Sequence, residues 1–256
     1  MNRTTRTVLL LAGFVGPSIL LTYAFLDLPS FGSTFHPYRD LAIPAAVLHH
    51  TANAVTSVVF DQRGLDTLIE EMVFFGSVVG VSALLRPSRE EQEHGPSLFG
   101  RVLEPTRTLG YVFLPTTLII GVDVVAHGHV TPGGGFQGGV IMASGIHLLY
   151  VAGSYQALDR LRPVEVFEHL EVAGAAAFVV FGLAGLVSSA AFLANIMSYG
   201  RFGSLFSAGV IPLIDAAVGM AVASGTVVIV AKFLEQAVLL GRPRSSSAPS
   251  QPGELA

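Results

Sequence analysis

The 256-residue sequence contains no cysteine, which removes disulfide frameworks, thiolate metal sites and iron–sulfur clusters together. It is also poor in charge. Asp, Glu, Lys and Arg make up 12% of the chain, about half the ~25% usual in soluble domains, while 51% is apolar. A water-soluble fold of this size needs more polar surface than these residues supply, so a soluble enzyme is excluded. No basic excess exists to attract nucleic acid, since 14 Lys and Arg stand against 18 Asp and Glu. Disorder is excluded by the apolar content and a net charge of only −4. What remains is an all-α integral membrane protein.

Crossing a hydrocarbon core of about 30 Å takes about 20 mostly apolar residues at 1.5 Å each. Six segments qualify: Val8–Leu26, Leu65–Leu85, Thr108–Ala126, Phe136–Tyr155, Val172–Leu193 and Val210–Ala231. Ala45–Phe60 is too short to cross comfortably and carries His49, His50 and Asn53, so it is expected to lie laterally or to re-enter. Cytoplasmic loops collect Lys and Arg. With six spans and both termini cytoplasmic, eleven basic residues fall inside and only Arg39, Arg63 and Arg201 outside. A seven-span arrangement with an outer N-terminus gives a slightly weaker bias. Arg3 and Arg6 precede an apolar run longer than a signal-peptide core, so the first span reads as a signal anchor.

The polar stretch 86–105, with its prolines and charge run, separates a two-span module at 1–85 from a four-span module at 106–241. The Ser/Pro-rich end, 242–256, is expected to be disordered.

The sharpest local feature is GHVTPGGGFQGG at Gly128–Gly139. Six glycines and Pro132 cannot continue the preceding helix, so the chain must turn tightly there, and helices must pack closely. Gly133, Gly135 and Gly138 match G-x-G-x-x-G in form only, because a dinucleotide fingerprint needs a strand before it and a soluble βαβ unit around it.

Carboxyls within spans are costly and usually face protein or a water-filled cavity, often on ion routes. Asp123 and Asp215 are candidates, each with a plainer alternative. Asp123 lies four residues before His127 and so near the interface, and Asp215 near a helix start favoured by the dipole. Glu70 and Glu71 are consecutive and diverge by about 100° on a helix, so one of them faces protein and the other a neighbouring subunit or lipid headgroups. Asp66 and Glu70, at i and i+4, share a face, where like charges in a dry site oppose joint ionisation. The alternative for them is a solvated first turn. His147, in mid-span, is either a hydrogen-bonded core imidazole or a proton relay. His49, His50, His127 and His129 lack a spacing that demands metal or haem, so no cofactor or metal is expected.

The run Gly128–Ala143 (GHVTPGGGFQGGVIMA), together with IPLIDAAVG at Ile211–Gly219, closely resembles the B subunit (MnhB/MrpB type) of multisubunit Na⁺/H⁺ antiporters. The likeness extends over roughly Glu104–Gly241. Asn53–Glu70 (NAVTSVVFDQRGLDTLIE) resembles the C-terminal end of the large A-type antiporter chain, and also the small E subunit of membrane-bound hydrogenases. Gln62 stands in place of that family's aromatic residue and Ile69 in place of its glycine.

The resemblance implies two fused modules of an accessory subunit in a prokaryotic cell-membrane antiporter, with other membrane subunits as partners and Na⁺ and H⁺ as transported ions. No enzymatic activity of its own is implied. Glu70 matches the family's intramembrane glutamate. Pro132, Gly133, Gly134, Gly135, Phe136, Gly138 and Gly139 read as a subunit-contact turn with Phe136 as a wedge. The alternative is a membrane-arm subunit of a hydrogenase-like ion-pumping redox complex, whose redox chemistry would lie in its partners.

Overall fold

The computed structural model describes residues 3–28, 32, 34–86, 103–152, 164–189 and 191–240. Among these are eight α-helices, one π-helical turn and no strand. The inner part of the expected linker (87–102), residues 153–163 and the expected tail (242–256) lie outside the described residues.

Residues 1–41 and 42–256 form two compact units. The first contains α1 (Arg3–Leu26) and the opening turn of α2 (Pro37–Leu48). Apolar side chains cover α1 all round, with Val8, Leu11, Phe14, Ile19 and Phe25 all exposed, as suits a helix solvated by lipid.

The second unit begins within α2. Pro44 lies inside that helix and His50 takes a left-handed φ of 53°, so the chain breaks at residues 49–53 instead of crossing in one helix. A one-turn α3 (Ala54–Ser57) and the π-helical turn Val58–Gln62 follow. The segment expected to lie laterally or to re-enter is thus a chain of short pieces. Then come α4 (Gly64–Leu84), α5 (Glu104–Ala126), α6 (Gly135–Ala152), α7 (Val164–Ser189) and α8 (Ile211–Leu240).

Five helices are long and apolar enough to span a membrane: α1, α4, α5, α7 and α8. The sixth expected span is α6. Its 18 described residues rise about 27 Å, just short of the hydrocarbon core, and its apolar stretch is Gly135–Leu149.

Helix α8 is the axis of this unit, enclosed by α4, α6 and α7. Glycine contacts give the directions. Gly135 and Gly139 of α6 meet α8 at Asp215–Gly219 and Gly219–Val222, so these two helices run parallel. Gly174 of α7 meets Ala217 and Ala221, while Glu168 pairs with Lys232, so α7 runs antiparallel to α8. Gly121 of α5 meets Gly138 and Met142, so α5 runs antiparallel to α6. Around the start of α8, Phe60, Phe178, Ile214, Val218 and Val222 form the core, with Phe60 and Phe178 edge to face at 6.2 Å.

Asn53 fastens the segment before α4 to the turn between α5 and α6. Its oxygen caps α3 by accepting from the Val55 and Thr56 amides. Its amide donates to the Gly128 carbonyl at 2.8 Å and the Thr131 carbonyl at 2.9 Å. Thr56 Oγ1 adds a bond to the Gly128 carbonyl at 2.7 Å.

Asn53→Ala removes the cap and both long-range donors together. The expected cost is about 1–3 kcal/mol, seen as a lower thermal unfolding midpoint of the purified protein in detergent. An unchanged midpoint would contradict the clasp.

Candidate ion and proton site

The site grows from the start of α6. A helix N-terminus leaves amide N–H groups without intrahelical partners, and in a membrane no water replaces them. Gly135 solves this across the bundle. Its N–H donates to Asp215 Oδ1 at 2.8 Å, so a side chain of α8 caps α6. Asp215 is fully buried, and its other oxygen, Oδ2, has no hydrogen-bond partner among the described residues.

The glycines make this approach possible. A Cβ on Gly135 would stand 2.5 Å from the Asp215 carbonyl oxygen and 2.9 Å from the Gly219 amide. One on Gly128 would stand 2.8 Å from Asp215 Oδ2. Gly133 and Gly134 turn the chain with φ of 151° and 137°, a region that disfavours any side chain. Gly134, Gly135, Gly138 and Gly139 are buried, and their close contacts are α5, α8 and the turn of this same chain. Pro132 is exposed, and Phe136 is half-buried against the Phe60–Phe178 core.

The other candidates separate. Asp66 is exposed and pairs with Arg63 at 2.5 Å. Glu70 is exposed on the outer face of α4. Asp66 and Glu70 therefore share the outward face, not a dry interior. Asp123 is exposed and pairs with His127 one turn later at 3.1 Å. His147 is half-buried, its ring hydrogen-bonded to the Thr226 backbone, with Nε2 buried and unpartnered.

What faces inward is the neighbour of Glu70. Glu71 is 1% exposed and both its carboxyl oxygens lack hydrogen-bond partners among the described residues. Glu171 of α7 is 3% exposed, with Oε1 unpartnered. Glu171 lies beside Gly225 of α8, where a Cβ would stand 3.0 Å from its Oε1, 2.6 Å from Phe74 and 3.0 Å from Val78, and Phe74 and Val78 share a face of α4 with Glu71. By hydropathy, Glu171 falls one residue before its span, among Glu165 and Glu168, and so passes for solvated. The observed helix starts at Val164, so Glu171 lies two turns inside it, on a face that neighbouring helices bury.

Beyond the spans, the loop before α8 and the segment 49–62 make a second polar cluster. His49 Nδ1 donates to Asp61 Oδ2 at 2.5 Å, and the imidazole stacks on Tyr199 at 4.7 Å. Burial, with the Asp61 carboxylate nearby, pushes the Tyr199 hydroxyl up from its ordinary value. His129 is fully buried, with Nε2 directed at the Ser204 carbonyl. Desolvation there holds its imidazole below the ordinary 6.5, although backbone hydrogen bonds at Ser204 and Leu205 oppose this.

Residues 105–228 match a family model described as a domain related to the MnhB subunit of Na⁺/H⁺ antiporters. An uncharacterized protein of Methanocaldococcus jannaschii is 31% identical over 196 residues, 68% of this chain and 73% of that protein. The chain belongs to the MnhB family.

The MnhB region runs from α5 into α8 and contains the glycine run, His147, Glu171 and Asp215, whereas Glu71 comes from the helix before it. A probable K⁺/H⁺ antiporter A/B subunit of Rhizobium meliloti is 26% identical over 280 aligned positions. That match takes in 97% of this chain and 27% of the relative, so the chain spans about a quarter of that protein.

Among solved structures, a chain of the membrane-bound sulfane sulfur reductase, an archaeal respiratory membrane complex, superposes with a TM-score of 0.70 and 29% identity. The superposition covers 90% of this chain and 98% of that one. The Mrp complex from Dietzia gives a TM-score of 0.65 at 24% identity over 96% of this chain and 27% of the other, a likeness of fold.

Two outcomes test this geometry. Gly135→Ala places a methyl into the α8 backbone and is expected to destabilise the MnhB region by about 1–3 kcal/mol. Gly76→Ala, where a Cβ meets nothing within 4 Å, leaves the thermal midpoint unchanged or raises it; equal midpoints for both variants would refute the packing account. Separately, His129 takes its proton more readily unfolded than folded. Stability therefore falls as pH drops through about 6.5, and His129→Gln flattens that fall in thermal melts between about pH 7 and 5.

Proposed function

We propose that this multi-pass membrane protein is an accessory subunit of a multisubunit monovalent cation/proton antiporter. It is embedded in a complex with other membrane subunits. The observation that carries this reading is the MnhB region, joined in one chain to a segment that packs with it as a single unit. The Rhizobium antiporter relative, aligned along 97% of this chain, supports the same fusion.

In this reading the chain is not an enzyme and holds no cofactor. It contributes contacts between larger subunits and a part of the ion route. Na⁺ and H⁺ are the transported ions, with K⁺ the competitor suggested by the Rhizobium relative. Both termini are cytoplasmic, which the eleven-to-three distribution of Lys and Arg supports. Asp215 closes the bundle by capping α6, and the buried carboxyls of α4 and α7 are the groups suited to carry charge through it.

A second reading has a specific support. The full-length superposition on a chain of a respiratory sulfur reductase favours a role in the membrane arm of a redox-driven ion pump. Since this chain has no cysteine, its own part there would again be ion transfer.

Everted vesicles carrying the whole complex test the first reading. Addition of Na⁺ or K⁺ to respiring vesicles is expected to dissipate ΔpH, and removal of this chain to abolish that response. A ΔpH indifferent to both cations would count against antiport.

A further inference from the structure

We propose that Glu71 and Glu171 together bind one exchangeable proton inside the bundle, between α4 and α7 against Gly225 of α8. The use of that proton in transport rests on the antiporter reading above.

Three observations carry the site. The first is burial without partners: both oxygens of Glu71 and Oε1 of Glu171 are enclosed with no hydrogen-bond donor in reach. A buried carboxylate in that state is among the costliest arrangements a protein can hold, and two together are costlier still. One proton held by the pair removes one of two like charges from the same enclosed region.

The second is the space made for the pair. Gly225 interrupts the side-chain cover of α8 just where Glu171 Oε1 lies, so the carboxyl occupies a notch that any side chain would fill. Gly225 is ten residues after Asp215, about 15 Å further along the helix, so the notch is separate from the Asp215 cap.

The third is the surrounding charge. On α4, Glu70 is exposed and adds repulsion to Glu71. On α7, Glu168 pairs with Lys232 of α8 at 3.5 Å and still adds repulsion to Glu171, while Glu165 and His169 are exposed. On α6, His147 leaves Nε2 buried and unpartnered. No cation is therefore committed to Glu71 or Glu171 among the described residues, and Lys232 holds its charge toward one end of the same face.

The test is carried out on the purified complex and on vesicles containing it, in wild type, Glu71→Gln and Glu171→Gln, with assembly followed on native gels. Infrared pH-difference spectra of the wild type are expected to contain a protonated-carboxyl band that titrates, and both variants are expected to lose that band or shift it in frequency and titration midpoint. Cation-driven ΔpH is expected to fall about tenfold or more in each variant. If both variants assemble and the band persists unshifted in frequency and midpoint, or if their antiport equals that of the wild type, the proposal is overturned. Should Glu71→Gln fail to assemble, Glu171→Gln decides by the same band, because removing either carboxyl changes the protonation of the other. A wild-type complex with the shared band but no cation-driven ΔpH would leave the proton site standing and sink the antiporter reading.

Discussion

The bond from the Gly135 amide to Asp215 joins two requirements that a bilayer imposes at once. The start of α6 must have its N–H groups satisfied without water, and α6 must approach α8 closely enough to gain van der Waals contact where no hydrophobic force draws helices together. An aspartate on one helix and bare glycine backbone on the other meet both. The remainder follows from that closeness: Gly138 on the opposite side admits α5, Gly174 brings α7 to Ala221, and α8 becomes the helix that the others enclose.

Close packing also explains how the interior tolerates carboxyls. Glycine at 225 leaves a notch for Glu171, and the small residues Ala217 and Ala221 let α7 lie close to α8. The segment 49–62 then ties the N-terminal part to the MnhB region through Asn53 and Thr56, which bind carbonyls of the turn that leads into the glycine run. The two parts, distinct as sequence resemblances, therefore share a fold and a buried polar site, since Glu71 belongs to one and Glu171 to the other.

Much of this was legible in the residues. The turn at 128–139 and the importance of Asp215 followed from glycine density and from the cost of an intramembrane carboxylate. That Glu70 and Glu71 look in different directions followed from helix geometry, but not which of them looks inward. Carboxyls on both faces of α4 leave no polar stripe to decide it, and only the packing of Phe74 and Val78 against Gly225 does so. Glu171 escaped notice because hydropathy locates the apolar centre of a span and not its helix start. A run of acidic residues at the edge then reads as solvent-facing, and the burial of its last member comes from the neighbouring helices.

The measurement that bears most directly on the central claim is the composition of the complex that this chain brings with it. An affinity tag on the chain, expressed at native level and purified in mild detergent, would be followed by mass spectrometry of its stoichiometric partners. The account predicts large antiporter-type membrane subunits and no cluster- or nickel-binding subunit. Stoichiometric recovery of cysteine-rich redox subunits would contradict it and assign the chain to the membrane arm of a respiratory enzyme.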